Sequence, residues 1–280
     1  MPRSLYTTLG VRRILRPINH SLKTHGISKT FKKVLRNCSR EFIINLPEDT
    51  KKVLKKDRVL VICNHPSQAD VLLLLAGLPH RSDIFLVIMH RLLSILPSID
   101  KHLIPVYISH RINDFSKTDW KFNILTKIHF SPEYSKEVAH QKNVENIALA
   151  AKRIDQGHLL CLFPAGGSEN GRDFLPGVGH LIKSLKYPES TKIVMAHVSG
   201  TSAWDYLRII PFVNKFLPKF RINFSEVQET TNFLYPEARQ IANQLQNHYE
   251  KWSLPFEPLP KFKYAALYLR SFLFFLLFKG

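Results

Sequence analysis

Six short runs of Val, Ile, Leu and Phe recur along the chain, at 58–63, 84–89, 103–109, 158–163, 193–198 and 220–224. They are of strand length and nearly continuously apolar. A strand with one wet face alternates, whereas a strand covered on both faces does not. Helical patterns lie between them at 68–76, 136–155, 178–185 and 237–251. Buried strands joined through helices predict an α/β fold: a mixed, largely parallel sheet covered by helices on both faces. With 280 residues, 45% of them hydrophobic, the chain can build one such domain with appendages. The domain is assigned to 51–255. A basic amphipathic helical pair (1–50) precedes it, and an apolar tail (256–280) follows.

Charge says what the appendages face. The net charge is +18, and no Asp or Glu occurs before Glu41. That stretch carries ten Lys and Arg residues, interleaved with Val11, Ile14, Leu15, Ile18 and Leu22, then Ile27, Phe31, Val34, Leu35 and Cys38. Pro17 and Gly26 are expected to kink or break the pattern. A basic face beside an apolar stripe suits an anionic bilayer surface. Helices packed on the domain, or an organellar transit segment over 1–40, are the other readings. The tail from Tyr264 to Phe278 is almost wholly apolar but short for a span and interrupted by Arg270, so it is read as an interfacial or half-inserted helix, with a last helix packed on the core as the alternative. Together these place the protein at a membrane, on its cytoplasmic face. Cys38, Cys63 and Cys161 have no paired spacing, which excludes a disulfide framework or zinc ribbon and fits a reducing compartment.

The chemistry concentrates where strand 58–63 ends, in Asn64-His65-Pro66-Ser67-Gln68-Ala69-Asp70. Five residues along a helix turn about 140°, so His65 and Asp70 share no helical face. With His65 still in the loop, its ring folds back onto Asp70 in the following turn. A carboxylate holding a neutral imidazole is a general base for activating a hydroxyl. Other strands end in Leu103-Ile-Pro-Val-Tyr-Ile-Ser-His-Arg111, in Phe163-Pro164-Ala165-Gly166-Gly167-Ser168, and in the turn Val198-Ser199-Gly200-Thr201. No Walker loop, complete dinucleotide fingerprint, nucleophile elbow or helical zinc pair is present. His110 and His197 lie beside these blocks and read as core or rim residues before acceptor contacts.

Over 58–201 these blocks resemble, in order, those of the glycerolipid and lysophospholipid acyltransferase family: N-H-x-x-x-x-D, a strand ending in Arg, F-P-E-G-T-R-S, and V-P-V-x-x-x-G-T. The resemblance implies a catalytic pair, His65 and Asp70. It implies substrate-binding roles for Asn64, Ser67, Arg111, Phe163, Pro164, Ala165, Gly166, Gly167, Ser168, Gly200 and Thr201. It also implies that no metal and no bound cofactor take part. The donor would be acyl-CoA or acyl-ACP, and the acceptor a lyso-glycerolipid such as 1-acylglycerol-3-phosphate. The third block departs from the family. Its Glu is Ala165 here, its Thr is Gly167 and its phosphate-contacting Arg is Ser168, so a planar phosphate clamp is lost.

The expectation is therefore an O-acyltransferase of phospholipid biosynthesis or remodelling, with the membrane lipid surface, the lyso-lipid and the acyl carrier as partners. An acyltransferase for a non-phosphate lipid acceptor and a non-catalytic lipid-binding relative are the alternatives. A nucleic-acid-binding protein would use the charge but leaves the apolar tail and the His–Asp block without a purpose.

Overall fold

The computed structural model describes residues 9–38, 42–65, 69–94, 96–107, 134–166, 173–201, 205 and 217–256. Each of the six apolar runs supplies a strand: β2 (Val59–Cys63), β3 (Ile84–Met89), β4 (Leu103–Val106), β5 (Leu159–Leu162), β6 (Lys192–Ser199) and β7 (Phe220–Phe224). Two shorter strands join them, β1 (Phe42–Asn45) and β8 (Gln228–Glu229). The sheet order is β1-β7-β6-β2-β5-β3-β4, with β8 also on β6. The strands β6, β2, β5, β3 and β4 are mutually parallel, and β7 and β8 pair antiparallel to β6. The fold is α/β with a mixed, largely parallel sheet, as the apolar runs predict.

β2 lies at the centre, and its side chains divide by parity as a pleated strand requires. Val59, Val61 and Cys63 pack in one core layer, Leu60 and Ile62 in the other, all fully buried. The first layer is roofed by α1 (Leu9–His25), α2 (Ile27–Cys38) and α4 (Asp70–Gly77), with α3 (Glu48–Lys56) leading into β2. The second is covered by α5 (Lys136–Asp155), α6 (Gly177–Lys183) and α7 (Ala238–Ser253). From β2 the chain passes through α4 to β3, beyond β5, and after β5 it crosses through α6 to β6 on the other side. β2 is thus the strand about which the winding reverses, and the crevice past its carboxyl end is where such sheets hold ligands.

The amphipathic pair is present, with two differences from expectation. α1 continues through Pro17. Proline removes one N–H from the helix, and Pro17 sits on the exposed side. Gly26, at φ 77°, makes the break between the two helices. The stripe of α2 is spent inside the protein: Ile27, Phe31 and Leu35, with Leu22 of α1, are buried against α4 and the sheet. What α1 and α2 leave exposed is basic, including Arg16, Lys23, Lys29, Lys33 and Arg36. No helix among the described residues is long and apolar enough to cross a membrane. The apolar tail lies outside the described residues from 257 onward.

The amino edge of the sheet is locked by one cation. Arg81 grips both carboxylate oxygens of Asp83 and donates to the carbonyls of Leu54 (3.1 Å), Asp57 (2.8 Å) and Gly157 (3.0 Å). Burial alone would raise the Asp83 carboxyl, but the hydrogen bond and charge of Arg81, with His158 Nδ1 at 3.2 Å, pull it below its ordinary value. Because the folded value is the lower one, this stabilisation is complete above the unfolded value of about 3.9 and fades as pH falls through the folded value. Arg81→Met is expected to destabilise the protein by on the order of 3 kcal/mol at neutral pH, since it strands three carbonyls and takes the guanidinium from Asp83. Chemical denaturation of the two proteins checks this, and the gap should shrink on acidification.

Candidate active site

Three elements converge on His65. β2 ends at Cys63, and the next residue, Asn64, is tied to β6: Val198 N–H donates to Oδ1 (2.7 Å) and Nδ2 donates to Val198 O (2.8 Å). His65 then leaves the sheet. Its Nδ1 lies 3.3 Å from Oδ2 of Asp70, the first residue of α4. The Asp70 side chain is 0% exposed and the His65 side chain 34%. A carboxylate in the first turn of a helix is favoured by the backbone dipole. A carboxylate only accepts, so in the neutral ring this contact calls for the proton on Nδ1 and leaves the lone pair on Nε2. The arrangement leaves an imidazole with one nitrogen held and the ring partly open to solvent.

The third element is the turn after β5. The Phe163 ring lies 4.7 Å from the His65 ring, tilted by 33°. Gly166 N–H closes the turn on Phe163 O at 3.0 Å. A Cβ at position 166 would press on that carbonyl at 3.0 Å and reach ordinary contact with His65 Cδ2 at 3.7 Å. Pro164 and Ala165 turn inward; Ala165 is 5% exposed and packs in the second core layer. Gly200 follows β6 at φ 83°, where a Cβ would fall 2.1 Å from Lys219 O. Only glycine allows that turn, and it delivers Thr201 to the carboxyl edge.

The structure therefore gathers Asn64, His65, Asp70, Phe163 and Gly166 around one ring, with Gly200 and Thr201 ending the neighbouring strand β6. Asn64 spends its carboxamide on Val198, and Ala165 spends its methyl on the core. Ser67, Arg111, Gly167 and Ser168 lie outside the described residues, as does His110. His197 is 5% exposed, with Nδ1 3.0 Å from the Tyr249 hydroxyl. Burial pushes its pKa down to about 4, so it is a neutral core residue. The link from Asn64 to Val198 escaped sequence reading, because its partner is a peptide group that any residue type supplies.

Cys63 is not a second nucleophile. Burial first, then the nearby Asp70 charge and Cys161, raises its thiol well above the ordinary range, and the thiolate is the reactive form. Among the described residues no group of three His, Cys, Asp or Glu is placed to hold a metal. A groove of about 500 Å³ lined by Asp173, Arg239, Asn243, Gln246 and Asn247 shares no residue with the pair.

A family model for acyltransferases matches residues 44–213, which takes in β2, the His65–Asp70 loop, the turn after β5 and the end of β6. The chain belongs to the acyltransferase family. Among solved structures the acyltransferase is similar to the 1-acyl-sn-glycerophosphate (LPA) acyltransferase PlsC from Thermotoga maritima, at 12% identity and a TM-score of 0.41. That likeness covers 87% of this chain and 82% of the other. A search of curated proteins finds no match.

If the Phe163 ring serves to hold the imidazole and not the substrate, removing it loosens His65 and leaves substrate binding alone. Phe163→Ala is expected to lower kcat by roughly 10- to 100-fold, the scale of a small misplacement of a reacting group. KM should stay near its original value. Steady-state kinetics of the folded variant checks this.

Proposed function

We propose that this acyltransferase moves a fatty acyl group from an acyl thioester, acyl-CoA or acyl-ACP, to a hydroxyl of a lyso-glycerolipid, with His65 as general base and Asp70 as the carboxylate that holds it. The observation that carries the reading is the 3.3 Å contact between a partly exposed imidazole and a fully buried carboxylate, at the strand end where the winding of the sheet reverses.

The chemistry follows from the atoms present. The acceptor hydroxyl, held against Nε2 of His65, loses its proton as its oxygen attacks the thioester carbonyl. Asp70 stabilises the imidazolium that forms. The tetrahedral oxyanion collapses, the carbon–sulfur bond breaks, and the thiolate leaves and takes a proton from the imidazolium. An ester and a free thiol result, and the base is restored. A good leaving group makes a covalent acyl-enzyme unnecessary, which fits the absence of a thiolate at Cys63.

The setting supports a membrane substrate. The exposed basic residues of α1 and α2 and the overall charge of +18 favour an anionic lipid surface, so we read the protein as peripheral on such a surface. The acceptor's head group is the open choice. Ser168 stands where the family block carries its phosphate-contacting Arg, and the loss of that bidentate cation favours acceptors other than a phosphate monoester. Lyso-lipids bearing phosphate, zwitterionic and amino-acid head groups, offered with palmitoyl-CoA and with palmitoyl-ACP, decide it by mass spectrometry of the product.

Two outcomes are expected. His65→Ala loses roughly 10²- to 10⁴-fold in turnover, the contribution of a positioned base, while retaining its thermal stability; unchanged turnover rules out the role. The wild-type protein binds vesicles containing phosphatidylglycerol, and sedimentation shows the bound fraction falling as salt rises from low to physiological ionic strength. Equal binding to purely zwitterionic vesicles contradicts the basic-surface reading.

A further inference from the structure

We propose that Asn64 is a positioning residue for acyl transfer: its carboxamide, tied both ways to the Val198 peptide, fixes the backbone from which His65 reaches Asp70. The inference rests on the reading of His65 as the base.

The paired ladder between β2 and β6 runs from Val59↔Lys192 to Cys63↔Ala196 and stops there. Asn64 extends it with a side chain. Oδ1 accepts from Val198 N–H at 2.7 Å, and Nδ2 donates to Val198 O at 2.8 Å. The two bonds reproduce the donor and acceptor of one more strand residue. The Cys63 thiol faces the same Oδ1 at 3.6 Å, so both lone-pair directions of that oxygen are engaged. The oxygen is thereby committed, and so is one of the two N–H groups of Nδ2.

What the tie secures is the next residue. His65 follows directly on Asn64, and its ring meets Asp70 from α4 and Phe163 from the turn after β5. The imidazole therefore stands at a junction of three elements, and among the described residues the asparagine links it to β6. The same device recurs at the edge strand of the sheet. There Asn143 of α5 accepts from Tyr107 N–H (2.8 Å) and donates to Tyr107 O (2.9 Å), pinning the chain just past β4. In both places a carboxamide pins the chain where a strand ends.

Asn64→Asp gives the decisive variant, because it keeps the shape and the acceptor for Val198 N–H. Its second oxygen, when ionised, opposes the Val198 carbonyl; when protonated, it donates as Nδ2 did. We expect the ratio of its kcat to that of the wild type to rise as pH falls through the pKa of the introduced carboxyl. KM for the lyso-lipid that turns over in the acceptor panel, with palmitoyl-CoA as donor, should stay within about twofold. Asn64→Ala should lose roughly 10- to 100-fold in kcat at every pH. A raised KM with kcat intact would instead make Asn64 a substrate contact. A lowered melting temperature with a flat pH ratio and normal kcat would make it structural only. Either result overturns the proposal. His65→Ala, assayed beside them, separates the two levels. Activity retained there removes the base assignment, whereas a silent His65→Ala with a flat ratio for Asn64→Asp removes only the role of Asn64.

Discussion

A carboxylate with no exposed surface holds one nitrogen of a partly exposed imidazole, and the purpose of the rest of the fold is legible from that pair. Burying an ionised group is costly unless it has partners. Asp70 has the first turn of α4 around it and His65 across from it. α4 in turn is placed by α2, whose Ile27, Phe31 and Leu35 pack against it and the sheet. An apolar stripe that in isolation suits a bilayer is thus committed to setting the helix that carries the carboxylate.

The two edges of the sheet differ in kind. At the amino edge Arg81 draws together Leu54, Asp57, Asp83 and Gly157 through direct hydrogen bonds. At the carboxyl edge the strand ends are finished by asparagine side chains and glycine turns, which fix the backbone. The candidate site is built from chain that has just left the buried central strand. His65 inherits precision from β2 without being buried by it.

Much of this was legible in the sequence, for definite reasons. The central strands are covered on both faces, so their composition alone marks them. β1 and β8 were missed because they are short and peripheral, and β8 is only Gln228–Glu229. α3 was missed because EDTKKVLKK buries only Thr50 and Leu54, too few for a visible stripe. The His65–Asp70 contact was readable because both partners are titratable and five residues apart with a turn between. The Asn64–Val198 tie was not, because it spans 134 residues and uses a backbone group on one side. Ala165 illustrates the converse: its place in a motif block suggested substrate, while the turn geometry sends its methyl into the core.

The claim at the centre is that Asp70 sets the tautomer of His65 so that Nε2 is the free base. Nitrogen-15 NMR of the protein labelled at histidine reads this directly, with His65→Gln to assign the signal. The account predicts a neutral ring at alkaline pH with the proton on Nδ1 and an unprotonated Nε2, and a loss of that preference in Asp70→Ala. A proton on Nε2 in the wild-type protein, or a tautomer indifferent to Asp70, would contradict it.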